Sequence, residues 1–205
     1  MAGTSTLAFK QRLTALREAA RPEAMQEAVI GQIYTDKAEL EGMFDSLRDE
    51  AEEAGDSHEF TKAADCYCKD MVLAWTLNDN RMAESCATQA LYYGAMGDLS
   101  TLIKTFMTTW AVWAHLVSCL DKRERARLQD FARFRRSLEL ALRHREDKDK
   151  RVEAAASLLA STFDKLGELN LKVAGANQEK APGGMDALWD EVAGLLEKIE
   201  ASRAN

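Results

Sequence analysis

Four cysteines, Cys66, Cys68, Cys86 and Cys119, and three histidines are the side chains of this sequence best suited to bind a metal, exchange electrons or attack a carbonyl. The tightest pair is Cys66-Tyr67-Cys68. On a helix, residues two apart point about 200° from each other, so these two thiols cannot close on one ion. No second cysteine or histidine pair completes a tetrahedral set, and no metal is expected. The thiols are expected to be buried and reduced. His115 and Cys119 lie at i and i+4, on one helix face, beside Met107, Trp110 and Trp113. Two such ligands can converge on a metal or haem iron, which defines one functional class, a cofactor-binding helical bundle. A histidine packed among core aromatics is the commoner arrangement, so no cofactor is expected.

The carboxylates Glu50, Glu52, Glu53, Asp56 and Glu59 are dense, but no Glu-x-x-His pair accompanies them as a di-iron bundle requires, and they read as a solvated face. Gly183-Gly184 lacks the lysine and hydroxyl that follow a phosphate-cradling loop. No histidine stands near a serine elbow. No residue is therefore expected to be catalytic, and the chain is not expected to be an enzyme.

The elements that must position these residues are helices. Across 205 residues the sequence is 46% hydrophobic and 30% charged with only two prolines, and it has no alternating β-branched run. Asp36 with Glu39, Asp56 with Glu59, and Asp121 with Glu124 have capping-box spacing. Gly55 and Gly97 each precede an aspartate, as where one helix stops in a left-handed residue and the next is capped at once. These signals predict helices near 5–20, 22–33, 37–54, 57–77, 80–96, 99–119 and 122–146. The uncharged stretch Thr105–Leu120 is 16 residues long, short of the ~20 needed to span a bilayer, and predicts a central buried helix.

The run Arg143-His-Arg-Glu-Asp-Lys-Asp-Lys-Arg151 has no apolar anchor and is either a solvated turn or the middle of one helix from 122 to about 173. Over 150–173, Val152, Ala155, Leu158, Leu159, Phe163, Leu166 and Leu169 share a face. A Gly/Pro/polar stretch, 174–184, predicts a flexible linker. The domain plan is N-terminal helices over 1–35, a helical core over 36–173, that linker, and a C-terminal amphipathic helix over 185–205 with Leu188, Trp189 and Leu196 on its apolar stripe. The amino-terminal residues lack the pattern of a secretory signal, and irregular cysteine spacing in a chain this size suits a reducing compartment; a cytoplasmic location is expected.

Gly55-Asp56 and Gly97-Asp98 are 42 residues apart, each between an amphipathic helix and a more apolar one; overlaying them puts Phe60 on Leu102, Lys62 on Lys104 and Met71 on Trp113. With Gly97 as the turn glycine, Ala90, Tyr93 and Phe106 fall at small, aromatic and aromatic positions of a unit that resembles a tetratricopeptide-like helical repeat over roughly 37–119. Leu102 replaces the pattern's small residue, Cys86 its leading tryptophan, and no proline ends the unit. The resemblance implies antiparallel helical hairpins stacked so that their inner face binds a peptide or helix of a partner. The alternative is an up-down bundle. The fold class in either case is all-α, with about seven to nine helices.

Charge is divided along the chain: 13 acidic and 3 basic residues lie between Glu23 and Asp65, against 12 basic and 7 acidic between Asp121 and Arg151. Arg125, Arg136 and Arg143 fall within about 20° of each other on a helix, opposite Leu128, Phe131, Phe134, Leu138 and Leu142. That ridge is a solvated face, a seat for an acidic partner or another copy, or a contact for phosphates, although a net charge of −7 works against nucleic acid. The expected function is a non-enzymatic protein–protein interaction module, an adaptor or subunit of a larger complex. Its candidate contacts are Tyr92, Tyr93, Phe106 and Trp110 on the inner face, and Leu188, Trp189 and Leu196 on the last helix. The alternative is a small helical subunit contacting RNA or DNA through the arginine ridge.

Overall fold

The computed structural model describes residues 37–119, 131–147, 149–175 and 182–201, together with the isolated positions 11, 14, 15 and 24. Among these, seven helices and no strand are present: α1 (Lys37–Asp56), α2 (Phe60–Thr76), α3 (Asn80–Met96), α4 (Leu99–Cys119), α5 (Phe131–His144), α6 (Lys150–Gly175) and α7 (Pro182–Ala201). The all-α expectation holds. Apart from those isolated positions, the helices expected over 5–20 and 22–33, and the start of the one expected at 122, lie outside the described residues.

Helix α2 buries residues on nearly every side, including Ala63, Cys66, Tyr67, Met71, Val72 and Leu73, because α1, α3 and α4 all pack on it. Its neighbour α3 buries small residues at helical spacing, Ala83, Ala87, Ala90, Gly94 and Ala95, so other helices can approach its axis closely. Gly94 marks the tightest point: a Cβ there would lie 2.8 Å from Thr105 Oγ1 on α4. In α4 the buried threonines satisfy their hydroxyls within the helix, Thr105 donating to Thr101 O at 2.8 Å and Thr109 to Thr105 O at 2.9 Å. Such back-bonding lets an uncharged stretch carry hydroxyls into a core. No described helix is long and apolar enough to cross a membrane.

Helices α3, α4, α6 and α5 close a four-helix ring, each packing on the next, with α2 and then α1 added on one side and α7 on α6. The ring's centre is aromatic. Phe163 of α6 meets Phe106 of α4 at 5.3 Å and Phe134 of α5 at 5.2 Å between ring centres, and Phe134 meets Trp113 at 4.9 Å. Buried Val192 and Leu196 of α7 belong to the same core, so the last helix is docked on the body. Lys165 reaches Glu191 at 2.6 Å across that seam.

Four local readings are corrected. The left-handed residues that end helices are His58 (φ 62°) and Asn78 (φ 60°), not glycines. Each closes a pair of bonds, from Glu59 N to Ala54 O and His58 N to Gly55 O after α1, and from Asp79 N to Ala74 O and Asn78 N to Trp75 O after α2. These are two Schellman turns 20 residues apart. Gly55 sits inside the last turn of α1, where a Cβ would lie 2.5 Å from Tyr93 Oη; its smallness serves packing. Asp56 is consequently helical and caps nothing, whereas Asp98 does cap α4, accepting from Thr101 N at 2.7 Å.

The single-helix alternative for 122–173 is likewise excluded, since the chain leaves helix at Arg145 and re-enters at Lys150. Arg145 turns inward, with its side chain 8% exposed, and donates to Ala95 O at 2.7 Å and Gly97 O at 2.6 Å. A cation is thereby fixed at the negative end of α3. Finally, α6 runs to Gly175 and α7 begins at Pro182, so helix occupies both ends of the stretch 174–184. Proline suits a first helical position, where no N–H is needed.

Candidate functional site

Short turns bring the C-termini of α1 and α3 to the same end of the molecule as the N-termini of α2 and α4. Thr61 Oγ1 and Thr101 Oγ1 are hydrogen-bonded at 3.2 Å across that end, and Arg145 brings the C-terminus of α5 to it. A cleft of about 600 Å³ opens there, lined by His58, Phe60, Lys62, Asp65, Thr101 and Lys104 among others. From its rim a row of rings crosses the pole. His58 meets Phe60 at 5.5 Å, Phe60 stacks on Tyr93 at 6.3 Å, Tyr93 meets Tyr92 edge-on at 5.1 Å, and Tyr92 meets His144 at 6.0 Å. Tyr67 lies beneath Tyr93, 5° from parallel.

The row is held in place from below and at its ends. Gly55 admits the tip of Tyr93, and Tyr92 Oη is hydrogen-bonded to His144 Nδ1 at 2.9 Å. His58 and His144 are exposed, Phe60, Tyr92 and Tyr93 are half-buried, and Tyr67 is buried. Burial, followed by the neighbouring Tyr93, pushes the Tyr67 phenol up to about 12, so it stays neutral at physiological pH. In the cleft, burial raises the Asp65 carboxyl, but Lys104 and Lys69, both bonded to it, pull it below its ordinary value. Lys62 pairs with Glu50 at 3.2 Å.

The arrangement offers stacking surface, hydroxyls and lysines, and no activated nucleophile. Burial pushes the thiols of Cys68 and Cys86 up to about 12 and raises that of Cys66. All three are buried and protonated at physiological pH, as expected of core cysteines. Among the described residues no group of three metal-binding side chains stands together. The side chains of His115 and Cys119 lie outside the described ones. Asp70 of α2 is an unusual polar residue, 0% exposed with neither carboxylate oxygen hydrogen-bonded. Burial pushes its carboxyl up to about 7, Arg48 opposing and Asp45 reinforcing the effect.

Of the expected contact residues, Tyr92 and Tyr93 meet at the pole, their ring planes 83° apart. Phe106 is corrected: it is 0% exposed, spent on Phe163 and Trp110, and has no surface for a partner. Trp110 is half-buried against the core. Leu196 is fully buried between α7 and the body, while the side chains of Leu188 and Trp189 are outside those described. Arg136 and Arg143 are exposed on α5, and Arg125 lies outside the described residues. Sequence reasoning missed His58, Phe60 and His144: Phe60 and His144 join the row through tyrosines 33 and 52 residues away, and His58 joins it only through Phe60. The turn beside Gly55 was the one available signal. No family model, no curated protein and no solved structure matches the chain.

Proposed function

We propose that the protein is a non-enzymatic protein–protein interaction module, an adaptor or subunit that takes a peptide or helix of a partner at this pole. The observation that carries the proposal is the continuous row Phe60–Tyr93–Tyr92 running from the cleft, half-exposed and flanked by His58 and His144. Rigid aromatic rings give a partner large contact area at low entropic cost, and tyrosine hydroxyls orient it. Lys62 and Lys104, each about half exposed and paired with Glu50 and Asp65, leave the cleft lined by charges of both signs, to which polar groups of the bound segment can bond. The antiparallel succession of α1 to α4 supports the tetratricopeptide-like part of the proposal, in which stacked hairpins present a face to a partner.

The test is affinity purification from the native cell, then titration of the purified partner against wild type and the Phe60→Ala/Tyr92→Ala variant. Binding is expected to weaken by about 2–4 kcal/mol, some 30-fold or more, with helical content unchanged. Equal affinity of folded variant and wild type would remove the pole from consideration.

A further inference from the structure

We propose that the outer face of α5 is the seat of a second copy of this chain, which presents to it the acidic outer face of its α1. Leu140, 45% exposed, is the one large apolar side chain exposed among the described residues. Arg136 and Arg143 bracket it at one helical turn on either side, both exposed and without an ion pair among the described residues. Arg133 adds a third cation on the same side, 60% exposed although paired with Glu84. The opposite face of α5 is fully used, with Phe131, Phe134, Leu138 and Ala141 buried.

The complement is on the same molecule. Along α1, Glu41, Asp45, Asp49, Glu52 and Asp56 are all exposed at spacings of four, four, three and four, which places five carboxylates on one stripe. Arg48 beside them is tied to Glu52 at 3.3 Å. That stripe is ~22 Å long and the span from Arg136 to Arg143 ~10 Å at 1.5 Å per residue, so the basic face fits within it. The packing order places α2 and α3 between α1 and α5, which prevents the two faces from meeting inside one chain. Between chains they meet head to tail, each copy offering one face of each sign. A phosphate backbone would also meet the arginines, but it has no use for a leucine at their centre, and the chain's net charge of −7 opposes it.

Sedimentation of the full chain at roughly 0.01 M and roughly 1 M salt, where the Debye length falls from about 30 to about 3 Å, reads the contact. Concentration-dependent assembly is expected at low salt and single chains at high salt. Arg136→Glu/Arg143→Glu and Asp45→Lys/Asp49→Lys are each expected to remain single, with the circular dichroism of wild type, and Leu140→Asp to weaken assembly about tenfold or more. The decisive arm mixes the two charge variants: the intact α1 face of the first fits the intact α5 face of the second, giving a two-chain species. Wild type that stays single at low salt, arginine variants that assemble like wild type, or a mixture that yields no pair overturns the proposal. So does a wild type that stays single yet holds a duplex RNA probe through Arg136 and Arg143.

Discussion

Asp70 imposes a cost at the residue scale that Arg48 offsets only in part. Its carboxyl is fully buried without a hydrogen bond; the charges of Arg48 and Asp45 on α1 act on it, and it acts in turn on Cys86 of α3. The folded chain therefore keeps this proton up to about pH 7, while the unfolded chain releases it near the ordinary value of 3.8. Below that value both states are protonated and no penalty exists. Stability then falls as pH rises through the interval, and the loss is complete above about 7. A shift of this size corresponds to about 4–5 kcal/mol at roughly 1.4 per unit. Asp70→Asn keeps the shape without an ionisable proton, so its melting temperature should exceed that of wild type by about 10 °C or more at high pH and converge with it in acid. Parallel pH profiles for the two proteins would show that Asp70 does not titrate in this interval. Arg145 makes the converse point, since its bonds to Ala95 O and Gly97 O satisfy one end of α3. Arg145→Met should cost about 2–4 kcal/mol in urea unfolding, because two carbonyls lose a charged donor. Neither residue was legible in the sequence. The partners of Arg145 are backbone carbonyls some 50 residues distant, and the burial of Asp70 is set by helices on either side of α2.

At the scale of the element, the sequence is far more informative. The expected helices 80–96 and 99–119 coincide with α3 and α4, because Asp79 and Asp98 supply caps and the apolar period runs unbroken between them. The errors came from glycine. A glycine near a helix end suggests a left-handed stop, yet His58 holds that conformation after α1 and Gly97 ends α3 with φ −77°, while Gly55 and Gly94 exist to let Tyr93 and Thr105 approach. Sequence alone cannot separate a glycine needed for its backbone freedom from one needed for its missing side chain. The distinction is measurable. Gly94→Ala gains roughly 0.5–1 kcal/mol of helix propensity but drives a methyl to 2.8 Å from Thr105 Oγ1 and 3.0 Å from its Cβ, so a net loss of about 1–3 kcal/mol is expected. Pairing it with Thr105→Ser, which removes a methyl at the same contact, should recover part of that loss in thermal melts. A stabilised single variant would mean that α3 and α4 separate freely at this crossing.

The whole molecule adds what neither residue type nor period encodes, namely which apolar stripe covers which. The stripe on the last helix was plain in the sequence, but it fits equally well a helix docked on its own body or one offered to another chain. Docking follows from Val192 and Leu196, 1% and 0% exposed within the core that also holds Phe106, Phe134 and Phe163. Fully burying one such side chain contributes about 1.5–3 kcal/mol, so the seam between α6 and α7 outweighs its surface ion pair Lys165–Glu191, worth at most about 1 kcal/mol. Two substitutions separate these contributions. Leu196→Ala should destabilise the chain by about 2–4 kcal/mol and raise hydrogen exchange in α6 as well as α7, since the cavity opens at their common face. Lys165→Ala should leave both measurements nearly unchanged. If Leu196→Ala alters exchange in α7 alone and spares global stability, the last helix is an independent unit, and its apolar stripe becomes available to a partner.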